Sequence, residues 1–242
     1  MKGKLKRLNF EFKDKYNIND LLRIMEILRS PEGCPWDREQ NHRSIKKNLI
    51  EETYEVVEAI NKDDKELLRE ELGDLLLQIV FHSQMEKEQG VFDFDSVCDG
   101  ICKKLIERHP HVFGTLEVKD SKEVLENWEQ IKRRTKKRDT VADALEAIPK
   151  ELPALMRSDK IVSKAEGSYF EKKGVKEAAK ALCDFARDIE NEDKPAESAE
   201  FVGKLLFEAV RLSRALKVDP EDALARYCTS LVEELKAAKP EK

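Results

Sequence analysis

The stretch that decides the fold is residues 49–81, LIEETYEVVEAINKDDKELLREELGDLLLQIVF. It reads as two amphipathic helices joined by a polar turn at Asn61–Asp64. Glu51, Glu52, Glu55 and Glu58 stand on the first helix, and Glu70, Glu71 and Asp74 on the second. A helix repeats every 3.6 residues, so Glu52 and Glu55 share a face, as do Glu71 and Asp74. Antiparallel packing about the short turn brings the two pairs face to face. Four carboxylates gathered in this way repel one another, which raises their pKa values unless a cation meets them. Asp74 also opens the run Leu75 to Phe81, apolar apart from Gln78, where a bare carboxylate is costly.

Two readings of these acids stand open on spacing alone. In a chain that is 39% charged, EExxE and ExxD strings arise on solvated helix faces. The alternative is a site for a hard divalent ion. Mg²⁺ takes oxygen ligands, keeps waters and bridges to phosphates. The cluster holds no histidine or cysteine, which argues against zinc. A carboxylate-held Mg²⁺, with Mn²⁺ as the alternative ion, suits hydrolysis of phosphate esters or anhydrides. No Walker glycine loop is present, which excludes a P-loop NTPase.

The 242 residues can bury a real core, in one large or two small domains. A composition of 40% hydrophobic residues with only nine Gly and eight Pro favours helices. A net charge of −5 provides no basic field for a nucleic-acid polymer. No apolar run approaches the roughly 20 residues that a membrane helix needs. Residues 1–16 read as a basic leader without the apolar core of a secretion signal. The five cysteines, odd in number and without a CxxC pair, fit free thiols in a reducing cytoplasm. Cys98 and Cys102 lie one turn apart, a spacing looser than zinc sites show.

Working outward, Asn17 or Asn19 caps a helix to about Arg29, with Leu21, Met25 and Leu28 on one face. SPEGCPWDREQN (30–41) follows as an irregular loop set by Pro31, Gly33 and Pro35. Trp36 there either plugs the end of a helix bundle or, with Asp37 and Gln40, holds a planar ligand. The second helix spans about Arg43 to Ile60, with Ile45, Leu49, Val56 and Ile60 as its apolar stripe. The third, Asp64 to Glu88, carries a polar line of Glu71, Asp74, Gln78 and His82 that faces either water or the second helix. After Gly90 a fourth helix runs from Phe94 to Arg108 with Val97, Ile101 and Leu105 inward, and Pro110 stops it. A loop (109–119) leads to a helix from Lys122 to Arg138, which holds Trp128 and ends in the basic run KRRTKKR. Pro149 and Pro153 mark a domain junction. Four helices follow, near Leu155–Ala165, Lys176–Glu190, Ala196–Leu216 and Pro220–Ala238. No strand periodicity persists, so the fold class is all-α. An internal echo relates ELGDLLLQIVFHSQ (71–84) to FVGKLLFEAVRLSR (201–214).

Taken together, LIEETYEVVEAI, ELGDLL, the upstream GCPWDREQ and the downstream ERHPHVFG resemble the MazG family of nucleoside triphosphate pyrophosphohydrolases. The resemblance is close over residues 17–165 and fainter to the C-terminus, as in the two-domain form of that family. It implies tandem all-α four-helix units that dimerise, and Mg²⁺-dependent cleavage of a nucleoside triphosphate to the monophosphate and pyrophosphate. Carried over by motif, the metal ligands are Glu52, Glu55, Glu71 and Asp74. Asn48, Glu51 and Glu70 fall at nucleotide-contacting positions, and Lys104, Arg108 and Trp128 match later substrate contacts. Asn48 stands where the family can carry a basic residue, and Lys46 or Lys47 is the substitute. Trp36 or Trp128 would stack on the base, and Glu51 or Glu70 would take the proton of the attacking water.

Aligning Gly203 with Gly73 sets Phe201 at the place of Glu71 and Lys204 at that of Asp74. Arg187, in Cys183-Asp184-Phe185-Ala186-Arg187, replaces the glutamate matching Glu55. The positions of Lys104 and Arg108 fall near Ser230 and Glu234. The domain expectation is therefore a catalytic unit at 17–150 and, at 151–242, a degenerate unit kept for packing or dimerisation and without activity. The competing function is a non-catalytic nucleotide sensor or regulatory scaffold.

Overall fold

The structure, a computed structural model, describes residues 10–135, 140–188 and 198–238. The N-terminal part of the basic leader, the end of the basic run (136–138) and the expected helix ends at Glu190 and Ala196 lie outside the described residues. The protein is all-α. Among the described residues no strand forms, and Glu166 and Phe170 make an isolated bridge. No helix among them is long and apolar enough to cross a membrane.

The chain divides into two compact units, Met1–Val124 and Leu125–Lys242. The first holds α1 (Ile18–Arg29), α2 (Pro35–Glu39), α3 (Lys46–Asn61), α4 (Lys65–Glu88), α5 (Phe94–Arg108) and α6 (Pro110–Phe113). The division falls in the first turn of α7 (Ser121–Thr135), and α8 (Val141–Glu146), α9 (Ala154–Ala165), α10 (Val175–Asp188), α11 (Ser198–Ala215) and α12 (Pro220–Ala237) follow. The expected junction at 150/151 thus lies within the second unit, where Pro149 and Pro153 punctuate the turn between α8 and α9, which pack together.

Local chemistry explains the boundaries in the first unit. Asn17 caps α1 by accepting from the amides of Asn19 and Asp20, and the Asp20 carboxylate returns a bond to the Asn17 amide. Asp64 caps α4 through Glu66 and Leu67, after a turn in which Asp63 takes a left-handed φ of 52°. Gly90, with φ 70°, follows the end of α4, a conformation that favours glycine. α3 and α4 pack along their lengths as an antiparallel hairpin, with α1 and α5 also against α4.

The core of this unit is Met25, Ile45, Val80, Phe81 and Met85, with Leu21, Leu22, Leu76, Leu77 and Phe94 against it. One buried cation organises its edge. Arg29 forms a two-pronged pair with Glu88 at 2.8 Å, donates to the backbone carbonyls of Asp37 and Gln40, and lies 5.3 Å from the Phe81 ring centre. It therefore ties the loop that carries Trp36 to α4. Gly33 makes that loop possible. Its amide donates to the Ser30 carbonyl, that of Cys34 donates to Leu28, and a Cβ at Gly33 would be driven into the carbonyl oxygens of Ile27 and Leu28.

Cys34-Pro35-Trp36-Asp37 is not wholly irregular, because Pro35 begins the short helix α2, and Pro110 begins α6 instead of only ending α5. Trp36 is 59% exposed and plugs nothing. Ile60 leaves the expected apolar stripe of α3 for solvent, and Ala59 is the buried residue. Val97, Ile101 and Leu105 do not point inward, being 38%, 42% and 41% exposed. Asp74 is exposed, so its place at the start of an apolar run carries no burial cost, and the buried polar residue of that run is Gln78.

α10 and α11 pack as α3 and α4 do. Val80 and Val210, 130 residues apart, are both fully buried. Ser83 and Ser213, also 130 apart, each bond back to a carbonyl four residues earlier, at 2.8 and 3.0 Å.

Candidate metal and nucleotide site

The hairpin of α3 and α4 brings three of the four expected ligands together. Glu52 and Glu55 from α3 and Glu71 from α4 each present one carboxylate oxygen within 4.8 Å of the others. Partial burial raises the Glu52 pKa, and a hydrogen bond that protonated Glu52 donates to Glu55, with the charges of Asp74, Glu55 and Glu71, raises it further. Partial burial also raises that of Glu71, with added repulsion from Glu55, Asp74, Glu70 and Glu58. Asp74 stands outside the tight group, but its charge acts on both. The polar line on α4 therefore turns toward α3 at Glu71, and among the described residues no salt bridge meets the negative charge of Glu52, Glu55 or Glu71. Oxygen-only donors carrying excess negative charge are the donor set of a hard divalent cation. The residues present fit such an ion.

The other expected residues spread more widely. Glu51 is half-exposed and pairs with Lys47 at 2.9 Å. Glu70 is exposed and close enough for its charge to act on Glu71. Asn48 is exposed on the first turn of α3. On α5 Lys104 is exposed, whereas Arg108, one turn later, is buried at 6% exposure. Trp128, half-buried on α7, belongs to the second unit. The structure adds Glu58 to the charges acting on Glu71. Its signal was the third glutamate of the series Glu52, Glu55, Glu58 at intervals of three.

At the positions that the sequence echo aligns with the acid cluster, charged side chains pair with near neighbours in the chain. Asp184 and Arg187 pair at 3.7 Å, and Lys204 pairs with Glu200. Phe201, at the position of Glu71, stacks on Phe185 with ring centres 4.6 Å apart. No group of three acids, histidines or cysteines suited to a metal forms in this unit among the described residues.

Comparison with known proteins agrees with the motif resemblance. Residues 40–113, which contain the whole acid cluster, match the family model of the MazG nucleotide pyrophosphohydrolase domain. A nucleoside triphosphate pyrophosphohydrolase/pyrophosphatase MazG of Thermotoga maritima is 41% identical over 217 residues, 90% of this chain and 83% of that protein. A nucleoside triphosphate pyrophosphohydrolase of Escherichia coli is 42% identical over 215 residues, 86% of this chain and 82% of that one. A third, from Mycobacterium tuberculosis, is 36% identical over 151 residues, 61% of this chain and 44% of that protein. With the α3–α4 hairpin helical and most of two relatives' length matched, this chain is a hydrolase belonging to the MazG nucleotide pyrophosphohydrolase family.

Proposed function

We propose that the first unit hydrolyses nucleoside triphosphates to the monophosphate and pyrophosphate with Mg²⁺, Mn²⁺ being able to substitute. The observation that carries this is the group of Glu52, Glu55 and Glu71 within 4.8 Å, with Glu52 and Glu71 both held above the usual carboxylate range. When bound, the ion supplies charge neutralisation and polarises phosphate oxygens. Glu52 and Glu55 hold it from α3, Glu71 from α4 and Asp74 from the rim. Water attacks a phosphorus of the α–β bridge, the bridging bond breaks, and pyrophosphate leaves. Glu51 is engaged by Lys47, so the water's proton goes to Glu70, the exposed acid beside the cluster. Lys104 and Arg108 steady the triphosphate and the leaving pyrophosphate. Asn48 contacts the nucleotide at the first turn of α3, and Trp36, exposed in the same unit, supplies stacking surface for the base.

The second unit is the degenerate copy. Its internal ion pairs and the Phe185–Phe201 stack remove the need for a cation, and it serves packing and association.

A panel of ribo- and deoxyribonucleoside triphosphates, assayed with Mg²⁺, with Mn²⁺ and with chelator, tests the reaction. Equal amounts of monophosphate and pyrophosphate are expected, with turnover lost under chelation. Release of orthophosphate, or tight Mg²⁺-dependent nucleotide binding without turnover, would overturn it; the second result is that of a sensor.

The protein associates as a homodimer in the cytoplasm. Ile101, Leu105 and Ile106 on α5, with Val112 and Phe113 on α6, are 41–62% exposed and lie close in sequence. Monomers rarely leave a large contiguous apolar patch open. Sedimentation is expected to give twice 28.0 kDa for the parent chain. The double variant Ile101→Asp with Leu105→Asp is expected to sediment as a monomer at the same micromolar concentration; an unchanged mass rules this face out.

A further inference from the structure

A second polar cluster lies on the first unit's hairpin, at the end away from the Asn61–Asp64 turn. His42, in the turn before α3, meets His82 of α4 with their Nδ1 atoms 2.7 Å apart and their rings nearly parallel. The other nitrogen of His42, Nε2, lies 2.6 Å from the Glu86 carboxylate. His82 Nε2 is buried and has no hydrogen-bond partner among the described residues.

These contacts fix a proton count. A carboxylate only accepts, so His42 Nε2 carries a proton and donates to Glu86. Between the two Nδ1 atoms there is then room for one proton. If it sits on His82, both rings are neutral. If it sits on His42, that ring is the cation, supported by Glu86, and His82 is neutral only by carrying a proton of its own on the buried Nε2. A second proton would set two N–H groups head to head at 2.7 Å and break the contact. The buried, unpartnered Nε2 of His82 further disfavours charge on that ring, and burial followed by the charge of His42 lowers its pKa.

The neighbouring charges are engaged elsewhere. From α1, Arg29 holds Glu88, and Glu26 pairs with Arg23 and lies 3.5 Å from Lys87. From the start of α5, Asp93 bonds to Ser96. On α3, Lys47 pairs with Glu51, and Lys46 is exposed. Within the contacts described, Glu86 is thus the charge set directly against the imidazole pair.

We propose that His42, His82 and Glu86 form a clasp that positions α3 on α4, and with it Glu52 and Glu55 against Glu71, while the imidazole pair carries no more than one positive charge. His42 and His82 are positioning residues, since neither belongs to the acid cluster. The inference rests on the reading of that cluster as the catalytic centre. Geometry supplies the leverage. At 1.5 Å per residue, His82 is about 26 Å from the turn joining α3 to α4, and Glu52 about 14 Å. An opening of about 2 Å at the clasp becomes about 1 Å at the carboxylates, enough to cost about 100-fold in a positioned reaction. Ile45 anchors the same turn in the core, so the clasp adds orientation to an attachment that persists without it.

The sign with pH follows. A histidine whose folded pKa lies below the ordinary 6.5 stabilises the fold above 6.5. That contribution is lost as pH falls from 6.5 through the lowered value. The clasp therefore opens on acidification.

The test compares the parent with His82→Asn. An asparagine amide at this place presents an acceptor and a donor near the Nδ1 position, and so can meet either state of His42. In metal-free protein, amide exchange at Leu49, bonded to the Ile45 carbonyl at 3.2 Å, is corrected for intrinsic chemistry. It should rise about 10-fold in the parent between pH 7.5 and 5 and stay flat in His82→Asn. His42→Asn, which leaves one imidazole in the pair, should be equally flat and serves if the first variant does not fold. In turnover assays kcat of the parent should fall more steeply with acid than that of His82→Asn, with KM little changed. The carboxylates contribute the same limb to both. A flat parent profile, or profiles that coincide in parent and variant, overturns the clasp. Absence of turnover at every pH overturns the proposed reaction instead, and leaves the exchange measurement to decide the clasp.

Discussion

Glu71→Gln is expected to lower pyrophosphate release by about 100-fold or more, and yet to leave the metal-free protein as stable as the parent or more so. The two halves come from the same fact. Glu71 is held above the usual carboxylate range by partial burial and by repulsion from Glu55, Asp74, Glu70 and Glu58. An acid whose folded pKa is raised binds its proton more tightly in the folded protein than in the unfolded chain. Its stabilising contribution is therefore present below the ordinary value of 4.5 and is lost as pH rises through the raised value. At neutral pH the ionised side chain is a liability, which glutamine removes while keeping the shape. In the presence of Mg²⁺ the balance reverses, because the parent gains stability from ion binding and the variant loses most of that gain. A loss of about 100-fold corresponds to about 2.7 kcal/mol of transition-state stabilisation, well within what a Lewis-acid ion supplies. Thermal melting in chelator and in Mg²⁺, alongside turnover, reads both halves. A lower melting temperature in chelator with an unchanged Mg²⁺ response would mean that Glu71 is structural, and the ligand assignment would fall.

The second large effect is on the fold. Arg29→Ala is expected to destabilise the first unit by about 3 kcal/mol, since it strips one partner from a mostly buried charge pair. The Arg29 side chain is 8% exposed, and its removal leaves Glu88 and the carbonyls of Asp37 and Gln40 without their shared donor. Burial acts to raise the Glu88 pKa, but the bonds from Arg29 and Gln84 outweigh it, so the net value is lowered. Arg29→Lys should recover less than half of the loss, because an ammonium cannot reproduce the planar fork. Arg23→Ala is the control. Its pair with Glu26 is open to water on both sides, and its loss is expected to cost under about 1 kcal/mol. Protection of α1 and α4 amides from hydrogen exchange measures all three. Equal losses for Arg29→Ala and Arg23→Ala would show that the clamp contributes nothing special.

The acid hairpin was legible because it is written locally. Intervals of three place Glu52 with Glu55, and Asp64 and Gly90 mark the ends of α4 by known cap chemistry. What stayed hidden depends on partners distant in sequence or on a second meaning of one residue. Pro35 and Pro110 read as breakers, although proline also suits the first position of a helix. Thr140 with Asp143 forms a capping box that starts α8, a signal short enough to be lost in the polar stretch around it. The stripe of Val97, Ile101 and Leu105 announces a face that wants covering, but periodicity says nothing about whether a core or another molecule covers it. Asp74 misled in the opposite direction, because a run of apolar letters is a line on paper while a helix turns its members to different sides. The His42–His82 contact, 40 residues apart in sequence, has no local signature at all.

Gly33 has a consequence for how intolerance to substitution is interpreted in this protein. The turn folds back so closely on the end of α1 that any side chain at this position strikes the carbonyl oxygens of Ile27 and Leu28. A survey that scores every position by how badly it accepts replacement would therefore rank Gly33 with Glu71. The two would share a score for unrelated causes: one holds charge for chemistry, and the other holds nothing, keeping an empty volume through which the Trp36 loop can pass.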